Sequence, residues 1–114
     1  MKQIARDMLR GHLEGMVLAV LARGEAHGYE VLQRLREESE NALQLKEGSL
    51  YPALYRLEKA AYVKARWERE GAKRPGPRRR LYTITSKGKR ALATRQEEWR
   101  HFTRVVGRIL EAQP

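Results

Sequence analysis

The sequence predicts a mainly α-helical fold with one small β-hairpin: three helices, the hairpin, then one long terminal helix. Three observations predict it. Apolar residues recur at helical spacing through the first sixty positions, as with Leu50, Leu54 and Leu57. The period then drops to two in "YVKARWERE" and again in "RRLYTIT", on either side of "GAKRPGPR". Beyond them, Leu92, Trp99, Phe102, Val106 and Ile109 follow one another at steps of 7, 3, 4 and 3, a heptad seam interrupted by Arg95.

The first helix is expected over residues 3–22. Ile4, Met8, Leu13, Met16, Val17, Val20 and Leu21 form its apolar stripe, and Arg23-Gly24 stops it. Gly11 and Gly15, four apart, read as a close-packing face. A second helix is expected over residues 28–39, with Val31, Leu32 and Leu35 inward. The third lies in "GSLYPALYRLEK", residues 48–59, and contains Pro52. A proline inside a helix removes a donor and costs roughly 3 kcal/mol. The helix is therefore expected to start between Lys46 and Ser49. With Ser49 as the cap, Pro52 falls in the first turn, where donors lack intrahelical partners. With a start at Glu47, Pro52 meets the carbonyl of Gly48. The two alternating runs around a Gly- and Pro-rich loop read as a hairpin with a long tip. The last helix is expected over residues 86–112, capped by Thr85 or Ser86, and is about 40 Å long at 1.5 Å per residue.

The chain of 114 residues suits one compact unit, divided into a first part over residues 1–85 and a terminal helix over 86–114. It contains no cysteine, which excludes disulfides and suits the cytoplasm. No run approaches 18 apolar residues, so no membrane span is expected. Charges interrupt the apolar N-terminal stretch where a secretory signal would not tolerate them. His12, His27 and His101 lack partners at metal-ligand spacing, and no nucleophile–base order or phosphate-cradling loop stands out. No catalytic residue, metal or cofactor is expected, and an enzyme is not.

Charge points to function. The net charge is +10, and it is unevenly spread. Residues 1–63 carry nine basic and nine acidic side chains; residues 64–80 carry eight and two, a net +6. Such a localised excess marks a polyanion partner or a solvated face. Three helices followed by a hairpin with a basic tip is the order of a winged helix-turn-helix. In that arrangement the third helix enters the DNA major groove and the hairpin lies along the backbone. On this reading Lys46, Ser49, Tyr51 and Arg56 of the third helix, Tyr29 at the start of the second, and Lys73, Arg74, Arg78 and Arg79 of the wing are the DNA-binding candidates. Tyr29 equally suits a staple against the core, Tyr55 is undecided, Arg80 suits either face of its strand, and Trp67 reads as packing.

"HGYEVLQRLRE", "EGSLYPALYRLEKAAYV" and "GPRRRLYTITSKGKRAL" resemble the signature segments of the PadR-like transcriptional regulators, named for the phenolic acid decarboxylase repressor. The likeness runs from His27 to about Leu92, and "EEWRHFTRVVGRIL" is similar to the compact branch with a single C-terminal helix. Ala61 departs from the pattern, where a glycine often stands. The resemblance implies a transcriptional regulator, a repressor, that binds a pseudo-palindromic operator in double-stranded DNA as a homodimer. A 40 Å helix also exceeds what a small three-helix core can cover. Met8, Leu13, Leu92, Trp99, Phe102, Val106 and Ile109 are the expected dimer interface. The resemblance also carries an alternative for Trp99: some compact members bind planar aromatic molecules between paired tryptophans on this helix. That alternative makes the chain a small-molecule sensor with DNA binding as its output.

Overall fold

The computed structural model describes residues 3–9, 11–69 and 75–114. Five helices and three strands follow in the order α1 (Arg6–Leu9), α2 (Leu13–Ala22), β1 (Ala26–His27), α3 (Gly28–Glu38), α4 (Glu47–Lys59), β2 (Val63–Trp67), β3 (Arg80–Ile84) and α5 (Ser86–Leu110). The strands form one antiparallel sheet in the order β1-β3-β2. The mainly helical, winged architecture expected from the periodicity is the one observed.

The core is aliphatic. Leu18 and Leu21 of α2, Val31 of α3, Leu50, Leu54 and Leu57 of α4 and Val63 of β2 are fully buried. Each such side chain contributes roughly 1.5–3 kcal/mol by leaving water. On β3, Tyr82 and Ile84 close the core from the sheet side while Leu81 and Thr83 stay partly open, the alternation that the period of two requires.

One expectation needs correction. The first helix is not continuous over residues 3–22. Gly11 adopts φ +83°, a left-handed conformation open to glycine, and divides the segment into α1 and α2. The apolar stripe persists across the break, which is why periodicity did not reveal it. The third helix starts at Glu47, inside the expected bracket and at the earlier of its two alternatives. Lys46 caps α4 without a side-chain bond, and the amides of Ser49 and Leu50 both reach the Lys46 carbonyl, at 3.0 and 3.1 Å. Pro52 is thus the sixth helical residue. Both Pro52 and Gly48, whose carbonyl loses its donor, are exposed, so the missing bond falls where water can replace it.

β1 went unread because two residues carry no period. It pairs Ala26 with Tyr82 and His27 with Leu81. His27 also caps α3: its Nδ1 accepts from the Glu30 amide at 3.3 Å, and Glu30 Oε1 accepts from the His27 amide at 3.3 Å. Of the two caps expected for α5, Thr85 or Ser86, it is Thr85 whose hydroxyl accepts from the Gly88 amide, at 3.0 Å.

α4 ends in a Schellman turn. The Ala61 amide donates to Glu58 and the Tyr62 amide to Leu57, both at 2.9 Å, with Ala61 at φ +64°. That conformation accounts for the glycine often found at this place. Ala61→Gly is expected to stabilise the fold by about 1 kcal/mol, because a left-handed Cβ costs that order. Chemical denaturation that showed no rise in the midpoint would contradict it.

Candidate nucleic-acid interface

The buried residues of α4 leave an opposite, outward face made by Gly48, Pro52, Tyr55 and Lys59, all exposed. Tyr55 is 60% exposed, and the Lys59 ammonium sits 5.5 Å from its ring centroid. Sequence reasoning left Tyr55 undecided and did not weigh Lys59; the helical phase of the buried leucines was the signal for both. Lys46 and Ser49, at the start of the helix, are exposed as well. The amides of Ser49 and Leu50 bond to the Lys46 carbonyl, and those of the first turn point out along the axis at this end of the helix.

Tyr51 stands on the flank toward the sheet. Its ring lies over Gly28 so closely that a Cβ there would come 2.5 Å from the phenol oxygen. Glycine at position 28 therefore makes room for Tyr51, and the neighbouring Tyr29 remains half exposed. Beneath them, burial pushes the Tyr82 phenol above its ordinary 10.0; Arg80 opposes the shift, and Tyr51 and Glu58 add to it. Tyr82 is a neutral floor under this part of the surface.

Arg56 occupies the other flank, toward α2. Its Nε donates to Glu14 Oε1 at 2.5 Å. Glu14 was not among the residues singled out from the sequence, and the 42 positions between them hide the pair.

The wing's charges are partly engaged within the chain. Arg66 donates to Glu25 at 2.8 Å, and Glu25 also accepts from the Thr83 hydroxyl at 3.0 Å. Arg78 closes the hairpin by donating twice to the Glu68 carbonyl, at 3.1 and 3.0 Å. The Arg79 guanidinium lies 2.7 Å from Nε2 of His27, tying the wing to the cap of α3. Arg80 points to the core side of its strand, donates to Glu58 at 2.8 Å and lies over the exposed Trp67 ring. Lys73 and Arg74 lie outside the described residues. Lys64 and Arg69 are exposed.

The seam of α5 divides in two. Leu13 and Leu92 are partly buried against the chain's own core. From Trp99 onward the helix stands clear of it, and Trp99, Phe102, Val105, Ile109 and Leu110 are exposed, the last two at 71% and 75%. Val106 is half-buried. Met8 is exposed at 72%. His12 meets Trp99 edge-on at 5.2 Å, and Trp99 stacks on Phe102 at 6.1 Å. Among the described residues no group of three or more metal-ligating side chains occurs, and no helix is long and apolar enough to cross a membrane.

Residues 17–94 match the transcriptional regulator PadR-like family. A transcriptional regulator from Clostridium thermocellum has a similar structure, with TM-score 0.81 and 31% identity over 90% of this chain and 96% of that one. A PadR-like transcriptional regulator from Bacillus cereus gives 0.78 and 30%, over 94% and 99%. A protein of Lysinibacillus sphaericus is 32% identical over 108 residues, 95% of this chain and 96% of its own length. The shared segment runs from the buried face of α2, through the outward face of α4 and the wing, into the first turns of α5, and so the chain belongs to the PadR-like family of transcriptional regulators, not to a family of enzymes.

Proposed function

We propose that the chain is a repressor that binds a pseudo-palindromic operator in double-stranded DNA as a homodimer. The outward face of α4 carries this reading: a helix with an exposed, polar and aromatic surface, beside a wing in the most basic stretch of the chain. α4 enters the major groove, with Lys46, Ser49 and Tyr51 near its start and Tyr55 and Lys59 along its face. Tyr29 meets the adjoining backbone. Lys73, Arg74, Arg78 and Arg79 bring the wing to neighbouring phosphates. Residues 1–85 form the DNA-binding part and residues 86–114 the dimerisation helix. Trp99, Phe102, Val106 and Ile109 pair with their counterparts, flanked by Met8, with Leu13 and Leu92 at the edge of the contact. A DNA partner and the absence of cysteine support a cytoplasmic location.

A gel shift comparing the gene's own upstream DNA with random duplex tests the reading. A strong preference for the upstream DNA supports an operator-binding regulator; equal affinity for every polyanion refutes one. Ser49→Ala and Tyr51→Phe are each expected to weaken operator binding roughly tenfold, the worth of one hydrogen bond to a charged oxygen, about 1.5 kcal/mol. Ser49 is exposed and caps nothing, so its melting temperature should hardly move. Lower melting temperatures with undiminished affinity would make these residues structural instead.

The aromatic cluster of His12, Trp99 and Phe102 favours a second reading, in which a planar aromatic molecule binds at the dimer interface and controls DNA binding. Quenching of tryptophan fluorescence by such compounds, lost in Trp99→Ala, would support it. Quenching that survives the substitution would sink it.

A further inference from the structure

Arg95 interrupts the apolar seam of α5, and Gly15 lies opposite it on α2. The structure joins them. The stem of Arg95 crosses Gly15 so closely that a Cβ at Gly15 would lie 3.2 Å from Arg95 Cδ. Its guanidinium then spreads between the Gly11 carbonyl and Glu14 Oε2, both at 3.4 Å. The other oxygen of the same carboxylate, Oε1, accepts from Arg56 of α4. One anion on α2 therefore holds two cations, one from the proposed DNA-facing helix and one from the long helix. Glu14 is the most sheltered of the three, with its side chain 25% exposed against 57% for Arg56 and 34% for Arg95.

A carboxylate and a phosphate offer a guanidinium the same pair of acceptor oxygens. Arg56 stands beside the outward face of α4 with its side chain 57% exposed. A DNA backbone bound to that face would compete with Glu14 for it. If Arg56 moved to a phosphate, Glu14 would not be left as an unpaired, part-buried charge, because Arg95 is already in place.

Resting on the DNA-facing reading of α4, we propose that Glu14 is an intramolecular competitor for phosphate. It holds Arg56 in the DNA-free protein, releases it to the DNA backbone in the complex, and then relies on Arg95.

Binding of a random 20-base-pair duplex, followed by fluorescence anisotropy, tests this. Glu14→Gln frees Arg56 and should tighten binding about three- to fivefold, the scale of one part-exposed ion pair. Arg95→Gln leaves Glu14 wholly to Arg56 and should weaken binding two- to threefold. Both substitutions also alter net charge, so the deciding measurement is the same pair in an Arg56→Gln background. There the Glu14→Gln effect should fall to that of Glu98→Gln and the Arg95→Gln effect to that of Arg100→Gln, charge-matched controls at exposed positions of α5. Persistence of the full gain and loss without Arg56 overturns the proposal. So does equal binding by Glu14→Gln and the unmodified protein. If Glu14→Gln fails to fold, Arg95→Gln with and without Arg56 decides alone. No duplex binding by the unmodified protein would instead overturn the DNA-binding reading itself, which separates the two failures.

Discussion

Replacing Phe102 and Val106 together with glutamate is expected to give a folded monomer that no longer holds operator DNA. Phe102 is exposed and Val106 half-buried on the part of α5 that stands clear of the core, so the single chain should keep its fold. In a two-fold dimer each substitution is made twice, placing four carboxylates in an apolar contact without partners. An uncompensated charge there costs several kcal/mol. Even about 4 kcal/mol in total raises the dimer dissociation constant roughly a thousandfold. Operator binding should collapse although no residue proposed to touch DNA has changed, because on the proposed reading a monomer would grip one half-site where the dimer would grip two, about 34 Å apart. Light scattering together with a gel shift reads both effects. Dimers surviving in this variant would show that the interface lies elsewhere.

Removal of the wing cations is expected to have the next largest effect. Lys73, Arg74, Arg78 and Arg79 changed together to alanine should weaken binding to every duplex, specific or not. Each lost phosphate contact lowers the log–log salt slope by about 0.9. Four contacts would reduce the affinity ratio between 50 and 200 mM salt by roughly a hundredfold. The structure refines this, since Arg78 closes the hairpin through the Glu68 carbonyl and Arg79 reaches His27. Changing Lys73 and Arg74 alone should then leave the sheet intact and remove about half of the slope difference. An unchanged slope in the quadruple variant would exclude the wing as a DNA contact.

Much of the fold was legible because its signals are local. The leucines of α4 and the alternation of β3 are buried where their periods place them, and α5 begins at Thr85, one of the two expected caps; on β2 Val63 is buried but Trp67, read as packing on the same face, is exposed. The break at Gly11 was hidden by the very stripe that revealed the helix, because the apolar spacing runs on across the turn in sequence although Ile4 and Met8 before it are exposed and only the residues after it reach the core. The start of α4 was bracketed but not fixed, since Lys46 offers no side-chain cap for a sequence to announce. β1 exists only through its pairing with a strand more than fifty positions away. The candidate surface divides in the same manner. Charge excess and motif order pointed to α4 and the wing, whereas the engagement of Arg56 with Glu14, Arg66 with Glu25 and Arg80 with Glu58 depends on residues remote in sequence. No spacing rule could have shown that half of a basic run was already spoken for.

The junction between β3 and α5 contains a single residue. Thr85 ends the sheet, fixes its amide to the Tyr62 carbonyl at 3.0 Å and its hydroxyl to the Ala61 carbonyl at 2.6 Å, and caps the helix that follows. Gly88 then passes so close to the Tyr62 carbonyl that no side chain fits. No slack separates the wing from the long helix, so the rotational phase of one dictates that of the other. Inserting a single residue after Thr85 would turn everything beyond it by about 100° and carry Trp99 and Phe102 off their face. If related regulators bind operators as dimers, as proposed for this chain, the distance between half-sites should drift through substitutions that bend or repack α5. Insertions and deletions should be rare at this joint.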